Sequence, residues 1–389
     1  MIIRPRIRGF ICTTAHPAGC AVNVRTQIAR LAPASNGPRK ALVLGASGGY
    51  GLASRIVAAF GAGADTLGVS FERAPTTTKT ASPGWYNNIA FEEAAAERGL
   101  YARTLDGDAF SDDMKSRVVD EIRASLGQID LLVYSLASPM RRHPRTGVVH
   151  RSAIKPLGQT VHIKSLNQAT GDVREVDLPP ATDEETAATV AVMGGEDWEF
   201  WITALLDAQV LAPGFKTVSY TYIGSKLTWP IYWQATLGKA KEDLDRAARA
   251  INERISALHG TARVAVLKAV VTQASSAIPV VPLYLALLFR VMKDAGNHEE
   301  CIDHIDRLFR TALYSDDAPA LDDVDRIRMD DWELSDAIQA EVVQRWPIVS
   351  TGTLPELEGL RGDFLKIFGF GIAGVDYNAD IDPTLGRDC

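Results

Sequence analysis

The sequence predicts an α/β fold, a doubly wound parallel sheet covered by helices on both faces. Three observations predict it. Short, nearly continuous apolar runs alternate with helical stretches, as strands buried on both faces require. A glycine-rich turn joins the first such run to the first helix. The composition is globular, with 389 residues, 46% hydrophobic and 23% charged. A chain of this size buries roughly 75% of its unfolded surface.

The elements follow in order. KALVLG (40–45) is the first strand, and a helical pattern runs on through Leu52, Ile56, Ala59 and Phe60. TLGVSFE (66–72) and ARTLDGD (102–108) are the second and third strands, followed by a charged amphipathic helix over about 112–126. IDLLVYSLAS (129–138) is the fourth. The alternation then stops in a polar stretch rich in proline and glycine. Within it TVHIKSL and VREVDLP read as a hairpin around 167–172. Two strands are marginal alone in water, so the hairpin should lean on the main body. A helix near 196–208, the strand KTVSYTYIG (216–224), a long helix to about 258 and the strand ARVAVLKAVVT (262–272) complete the pattern. Because the alternation resumes, residues 1–389 read as one extended domain. It carries an inserted hairpin at about 140–180 and a helical C-terminal extension at about 296–389.

Lys and Arg number 41 against 48 Asp and Glu, a net charge of −7, which excludes a general nucleic-acid binder. Four cysteines (Cys12, Cys20, Cys301, Cys389) are too few for a disulfide framework and suit a reducing compartment. The N-terminus is basic, with Arg4, Arg6, Arg8 and Arg25, and lacks the apolar core of a signal peptide. The most apolar stretch, 277–292, is interrupted by Pro279, Pro282 and Arg290 and is shorter than the ~20 residues of a membrane span. A cytoplasmic chain without a membrane span is expected. Cys12, His16 and Cys20 would share a helix face, but Pro17 interrupts it and no fourth ligand is evident, so no metal is expected.

The turn GASGGYG (45–51) lies between the first strand and the first helix. Small residues let backbone approach a pyrophosphate, and the helix start supplies free N–H groups and a favourable dipole. Strand, turn and helix in this order point to dinucleotide binding on a Rossmann-type sheet. Glu72 ends the second predicted strand, where an acid accepts from the adenosine ribose hydroxyls and repels a 2′-phosphate; this favours NADH. Its distance of 27 residues from Gly45 exceeds the usual ~20, and Arg73 beside it can soften the discrimination. Asp108 ends the third predicted strand, and Leu136 and Ala137 the fourth, the positions of adenine and nicotinamide ribose in such sheets.

Downstream, YTYIGSKLTWPIYWQATLGKAKEDLDRAA holds Tyr220, Tyr222, Tyr232, Lys226, Lys239 and Lys241. A phenol can donate to an oxygen that becomes negative, while an ammonium lowers its pKa and holds cofactor ribose. The four-residue Tyr–Lys spacing of short-chain dehydrogenases is missing. In one continuous helix Tyr232 and Lys239 lie about 20° apart, and Tyr232 and Lys241 on opposite faces. Lys241 serves Tyr232 only where Tyr232 precedes the helix or the helix is interrupted. Pro230 and Gly238 permit either, so on spacing alone both lysines stay open.

The chain resembles the FabV-type enoyl-acyl-carrier-protein reductases, also called trans-2-enoyl-CoA reductases, nearly end to end. RPRIRGFICTTAHPAGC, GASGGYGLASR, GWYN, GDAFSD, VYSLASP, VMGGEDWE, TYIGSKLTWPIYWQATLGKAK and VVTQASSAIPVVPLY carry the resemblance. It implies a Y-x8-K pair at Tyr232 and Lys241, favouring Lys241 over Lys239, and a substrate-contacting Tyr222. It implies NADH contacts at Gly45, Ala46, Ser47, Gly48, Gly49, Tyr50, Phe71, Glu72, Asp108, Ala109, Leu136, Ala137, Lys241, Val270, Val271 and Thr272. The family commonly has serine at position 48, a conservative departure.

The implied reaction is the NADH-dependent reduction of a trans-2-enoyl thioester, on CoA or acyl-carrier protein, the last reductive step of fatty-acid elongation. Hydride reaches C3, and Tyr232 stabilises and protonates the enolate. Tyr222 shares the oxygen or positions the acyl group. The run 277–292 either borders the acyl pocket or is a plain core helix. A short-chain ketoreductase and a non-catalytic NADH sensor are the rival readings. The family's C-terminal segment carries a flavin label, but no flavin motif is evident in 354–389 and none is expected to bind. A cytoplasmic monomer without nucleic-acid partners completes the expectation.

Overall fold

The structure, a computed structural model, describes residues 1–8, 11–167, 170–354 and 357–384. Cys389 and the centre of the predicted hairpin turn lie outside the described residues. Seven strands form one parallel sheet: β1 (Lys40–Leu44), β2 (Asp65–Ser70), β3 (Ala102–Asp106), β4 (Ile129–Tyr134), β5 (Leu211–Thr221), β6 (Thr261–Val266) and β7 (Ile327–Arg328). Their order is β7-β6-β5-β4-β1-β2-β3. Chain direction across the sheet reverses between β1 and β4, and this opens a crevice at the carboxyl ends of the strands.

The sheet is held by burial on both faces. Leu42, Leu44, Leu131, Leu132 and Val133 are fully enclosed, each contributing about 1.5–3 kcal/mol relative to an exposed side chain. On one face lie α1 (Pro17–Ala29), α2 (Gly49–Ile56) and α3 (Pro83–Glu97), with Val24, Leu52, Ile56 and Phe91 inward. On the other lie α4 (Asp112–Glu121), α5 (Glu196–Asp207) and α6 (Thr236–Ile255), with Val118, Trp198, Trp201, Leu244 and Ile251.

All six predicted strands form, but the strand ends differ. β2 stops at Ser70, β3 at Asp106, β4 at Tyr134 and β6 at Val266. Side chains there replace the ladder: the Asp106 carboxylate takes the Glu72 N–H (2.8 Å) and the Glu333 carboxylate takes the Ala269 N–H (2.6 Å). Glu72, Asp108, Leu136, Ala137 and residues 270–272 therefore sit on loops over the sheet's carboxyl edge, not in strands as their runs suggested.

The hairpin forms as Val161–Leu166 paired with Val173–Leu178. It leans on α7 (Val281–Asp294), against which Val161, Ile163, Leu166 and Val173 pack. The apolar run at 277–292 is mostly this helix, and Leu283 through Leu288 are buried. Helix Asp183–Met193 escaped the sequence reading, although Thr182 and Glu185 spell its capping box. After α8 (Cys301–Leu308), the C-terminal segment adds β7 to the sheet edge and two helices, α9 (Asp336–Arg345) and α10 (Leu357–Lys366). Among the described residues no helix is long and apolar enough to cross a membrane.

Candidate active site

The glycine turn is built by close approach. Gly45 has φ +80°, and a Cβ there would lie 2.0 Å from the Ser135 carbonyl oxygen. A Cβ on Gly51 would lie 2.0 Å from the Gly45 carbonyl oxygen, so α2 starts directly against the turn. Gly48 is the N-cap residue of α2 in extended backbone, and a Cβ there meets nothing within 4 Å. Serine fits that space, so the family's preference and this chain's glycine are interchangeable in shape. Above the turn an open cleft is lined by residues that include Gly48, Gly49, Leu52, Asn87, Val270 and Val271. Thr272 faces the turn from the other side, its Cγ2 3.2 Å from the Cβ position of Gly49, and its hydroxyl caps the short helix Gln273–Ser276. Two loops far apart in sequence thus meet across the mouth of the switch point. Small residues, a free helix start and open volume suit a pyrophosphate.

The turn is pinned from below. The Tyr50 hydroxyl donates to the Lys268 carbonyl (2.8 Å), and Asn87 Nδ2 donates to the Ser47 carbonyl (2.9 Å). Ser47 Oγ donates to Glu72 Oε1 (2.6 Å), which fixes the carboxylate beside the turn despite its long spacing. Burial raises the Glu72 carboxyl pKa, and hydrogen bonds from Ser47 and Ser82 oppose the rise. The Arg73 guanidinium reaches the Thr80 carbonyl (3.4 Å). Phe71 is 78% exposed, a bare ring at the edge of the crevice. Asp108 Oδ1 accepts from the Phe110 N–H (2.9 Å), while Ala109 is buried with its carbonyl bonded by Trp201 Nε1 (3.1 Å). Leu136 is half-buried and Ala137 exposed, just beyond β4.

The tyrosines and lysines separate by environment. Tyr220 is a core residue of β5, its hydroxyl paired with Ser54 Oγ at 2.6 Å. Lys226 is exposed. Lys239 is exposed and pairs with Glu242 (2.8 Å). Tyr232 follows the 3₁₀ turn Trp229–Ile231, and α6 begins only at Thr236. Tyr232 therefore precedes the helix, the condition under which Lys241 can serve it. Gly238 marks the junction: its Cβ would lie 1.8 Å from the Trp233 carbonyl oxygen. Lys241 points back under β5, with Nζ 3.4 Å from the Tyr220 carbonyl oxygen. Burial pushes its ammonium down to about 8, with Asp245 opposing.

Tyr232 is buried (8% exposed) and burial alone raises its phenol pKa; no hydrogen bond or charge contributes. Its ring meets the Tyr222 ring edge to face, centroids 4.9 Å apart. Tyr222 in turn donates to Glu333 Oε1 (2.8 Å), and so does Tyr284 (2.8 Å). The sequence reading missed Glu333, Tyr284 and Gln339. No local pattern marks them; only the fold brings 222, 284 and 333 to one point.

His16 caps α1 through Nδ1, which accepts from the Gly19 N–H (3.1 Å), and the helix begins at Pro17. Cys12 lies outside that helix. Among the described residues no group of three or more His, Cys, Asp or Glu side chains could hold a metal.

A phosphate-sized glycine turn at the switch point of a parallel sheet, faced by buried tyrosines and a desolvated lysine, defines a dinucleotide-dependent oxidoreductase of the Rossmann type. Known proteins narrow the class. The family described as trans-2-enoyl-CoA reductase catalytic region matches residues 79–314, and the NAD(P)H binding domain of trans-2-enoyl-CoA reductase matches 2–77. The chain is 55% identical over 394 residues to the enoyl-(acyl-carrier-protein) reductase (NADH) of Edwardsiella ictaluri, spanning 100% of this chain and 99% of that one. The same identity and coverage hold for the enoyl-(acyl-carrier-protein) reductase (NADH) FabV of Aeromonas salmonicida. The crystal structure of Treponema denticola trans-2-enoyl-CoA reductase in complex with NAD superposes with a TM-score of 0.95 at 47% identity, over 100% of both chains. The chain belongs to the FabV-type trans-2-enoyl reductase family.

A third family description, enoyl reductase FAD binding domain, matches residues 321–381. Those residues do not fit a flavin. Phe364, Phe368 and Phe370 are buried against Ile3 and Cys12, and the small cavity nearby is lined by Ile7, Leu357, Leu360, Phe364 and Leu365 with Arg361 as its one charged group. Glu333 and Gln339 are engaged with tyrosines. No step below uses a flavin.

Proposed function

We propose that this chain reduces the trans-2 double bond of enoyl thioesters with NADH, with Tyr232 as proton donor, Lys241 as its partner and Tyr222 beside the thioester. The observation that carries the assignment of roles is the Tyr232 phenol. It is buried, engaged by no hydrogen bond among the described residues, in ring contact with Tyr222, and it precedes α6, the condition under which Lys241 can serve it.

When bound, NADH supplies the hydride that adds to C3 of the substrate. Gly45 through Tyr50 hold its pyrophosphate, and Glu72 accepts from the adenosine ribose. Phe71, Asp108 and Ala109 border the adenine, and Leu136, Ala137 and Val270–Thr272 border the nicotinamide half. Negative charge then gathers on the thioester oxygen. The Tyr232 O–H, already desolvated, stabilises it as a hydrogen-bond donor and delivers the proton. Donors aimed at such an oxyanion contribute on the order of a hundredfold or more in rate. The Lys241 ammonium favours transient phenolate character on Tyr232 and holds nicotinamide ribose. The acyl chain is assigned to the apolar surroundings that Tyr222, Leu227, Val271 and Ile278 share with α7. The chain is assigned to the cytoplasm as a monomer, with all 389 residues acting as one reductase unit; free Cys12, Cys20 and Cys301 agree with a reducing compartment.

The test is NADH oxidation over enoyl thioesters of rising chain length on CoA and on acyl-carrier protein, with acetoacetyl-CoA as the ketone control. Turnover of crotonyl-CoA without turnover of acetoacetyl-CoA is expected. The reverse preference would establish a ketoreductase, and NADH binding without turnover a sensor.

A further inference from the structure

The polar stretch after β4 folds into a short ribbon that has no part in the roles above. Met140–Arg142 pairs antiparallel with Val149–Arg151, with Met140 opposite Arg151, Arg141 opposite His150 and Arg142 opposite Val149. Side chains alternate between the two faces of such a ribbon. Arg141 points inward and is buried, its Nη1 donating to the Ala191 carbonyl (2.7 Å) and to Glu196 Oε2 (2.8 Å). Met140, Arg142, Val149 and Arg151 share the outer face, and all four are exposed.

The turn of the ribbon extends that face. Val148 is 51% exposed, and Arg145 is exposed with its guanidinium carbon 4.0 Å from the centre of the Phe200 ring. Arg142 Nη1 donates to the Gly147 carbonyl (3.1 Å), and Arg151 Nη1 to Met140 Sδ (3.7 Å). These contacts orient each guanidinium and leave it with donors to spare. Among the described residues none of the three arginines forms an ion pair. The acid nearest the base of the ribbon, Glu196, is taken by Arg141 and His143. Asp183 and Glu184 lie at the far end of helix Asp183–Met193, roughly 12 Å along its axis from Ala191. A chain of net charge −7 thus carries a local face of three unpaired cations set among exposed Met140, Val148 and Val149. Methionine and arginine are enriched where proteins meet, and apolar groups rimmed by charge mark such faces.

Both ends of the ribbon are fastened beside the proposed chemistry. It leaves from the carboxyl end of β4, directly after Leu136 and Ala137. On its return the Thr236 hydroxyl donates to the Ala153 carbonyl and the Thr236 N–H to the Lys155 carbonyl (3.1 Å). Thr236 opens α6, four residues after Tyr232.

We propose that the outer face of this ribbon docks the protein that delivers the enoyl thioester, an acidic acyl-carrier protein. A carrier protein presents its thioester on a long phosphopantetheine arm, so its folded body must rest outside the cleft. Carboxylates on that body meet Arg142, Arg145 and Arg151, while Met140, Val148 and Val149 supply apolar contact. CoA ends in a nucleotide and has no folded acidic surface to lay on the ribbon. Complementary charge of this kind acts on encounter and on the choice of partner more than on chemistry. Its effect therefore belongs in the KM for the carrier protein and weakens with salt.

The inference rests on the assignment of the chain to enoyl thioesters, and its test separates the two. The full-length parent and the triple variant Arg142→Glu, Arg145→Glu, Arg151→Glu are assayed with NADH and one acyl group on two carriers, crotonyl-acyl-carrier protein and crotonyl-CoA. In the variant kcat/KM should fall about tenfold or more on the carrier protein, through KM, and stay within about threefold on CoA. High salt should raise the parent's KM for the carrier protein and shift the variant's much less. An equal loss on both carriers in a folded variant, or full activity on the carrier protein, overturns the docking face and leaves the reductase in place. A parent that turns over crotonyl-CoA alone does the same. A parent that reduces neither thioester removes both readings. Where thermal melts show that the charge reversal does not fold, the triple variant Arg142→Gln, Arg145→Gln, Arg151→Gln decides: a loss of about threefold or more confined to the carrier protein supports the proposal, and the absence of a selective loss overturns it.

Discussion

The rings of Tyr222 and Tyr232 meet edge to face, with centroids 4.9 Å apart and planes at 84°. Such a pair contributes about 0.5–1.5 kcal/mol beyond burial and fixes two phenols at one angle. Their hydroxyls differ in kind: Tyr222 bonds to Glu333, while burial alone acts on Tyr232. One phenol is tied to a buried carboxyl, and among the described residues the other has no hydrogen-bond partner, which suits the donor role proposed for it.

Removal of the Tyr232 hydroxyl should therefore strike chemistry and spare binding. Tyr232→Phe keeps the ring that Tyr222 packs against and deletes only the donor. A fall in kcat of about 10²–10⁴ is expected, the range for a positioned general acid. The Kd for NADH, read by fluorescence titration, should stay within about threefold. Full turnover in this variant would assign the proton donor elsewhere.

Lys241 provides a pH signature. Its ammonium sits at about 8 against 10.5 for an ordinary lysine, because burial disfavours the charge. Raising the pH through 8 removes the charge proposed to hold ribose and to favour phenolate on Tyr232, so NADH affinity and kcat should both fall above that point. The linkage sign runs the other way for stability. Between pH 8 and 10.5 the unfolded chain binds more protons at this residue, so its contribution to stability rises with pH. The loss above pH 8 is thus a loss of function and not of fold at this site. Lys241→Arg should flatten the NADH Kd profile between pH 7 and 9.5; a wild-type profile already flat there would refute the assignment.

The sheet was legible because its strands announce themselves: KALVLG, TLGVSFE and IDLLVYSLAS are too apolar to lie anywhere but in a doubly covered sheet. Their ends were not legible. TLGVSFE reads as strand to Glu72, yet the ladder stops at Ser70, where the Asp106 carboxylate takes the next N–H. The choice between Lys239 and Lys241 hung on where α6 begins. Pro230 and Gly238 leave that start open; the turn at Trp229–Ile231 and the start at Thr236 put Tyr232 before the helix, the condition under which Lys241 can serve it. Glu333 was beyond reach, since its partners at 222, 269 and 284 come from three separate elements and share no sequence spacing.

Glu72 should decide between the two nicotinamide cofactors. Ser47 Oγ holds its carboxylate beside the turn, where a 2′-phosphate would meet a negative charge in a half-buried setting. Glu72→Ala removes the repulsion and leaves Arg73 nearby to face the phosphate. The ratio of kcat/KM for NADPH over NADH should rise about tenfold or more, equivalent to ~1.4 kcal/mol. The measurement is initial rates with each cofactor at fixed crotonyl-CoA, and an unchanged ratio would leave Glu72 as a structural partner of Ser47 alone.

Gly48 and Gly45 lie three residues apart in the same turn and should respond in opposite ways. At Gly48 the backbone is extended (φ −161°) and a Cβ meets open space. A serine there gains a side-chain oxygen at the N-cap of α2, where no side chain caps the helix now. Gly48→Ser should stabilise by only a few tenths of a kcal/mol, with NADH binding retained. At Gly45 the backbone is left-handed and a Cβ would press on the Ser135 carbonyl at 2.0 Å. Strain of about 1–3 kcal/mol is expected before any clash is counted. Relief requires β1 and the loop after β4 to part, which opens the seam assigned to the dinucleotide. Gly45→Ala should therefore lower the melting temperature and weaken NADH binding together, whereas Gly48→Ser does neither. Thermal melts of both variants with and without NADH provide the comparison, and a Gly45→Ala protein that melts and binds like the parent would show that the turn does not need its glycine.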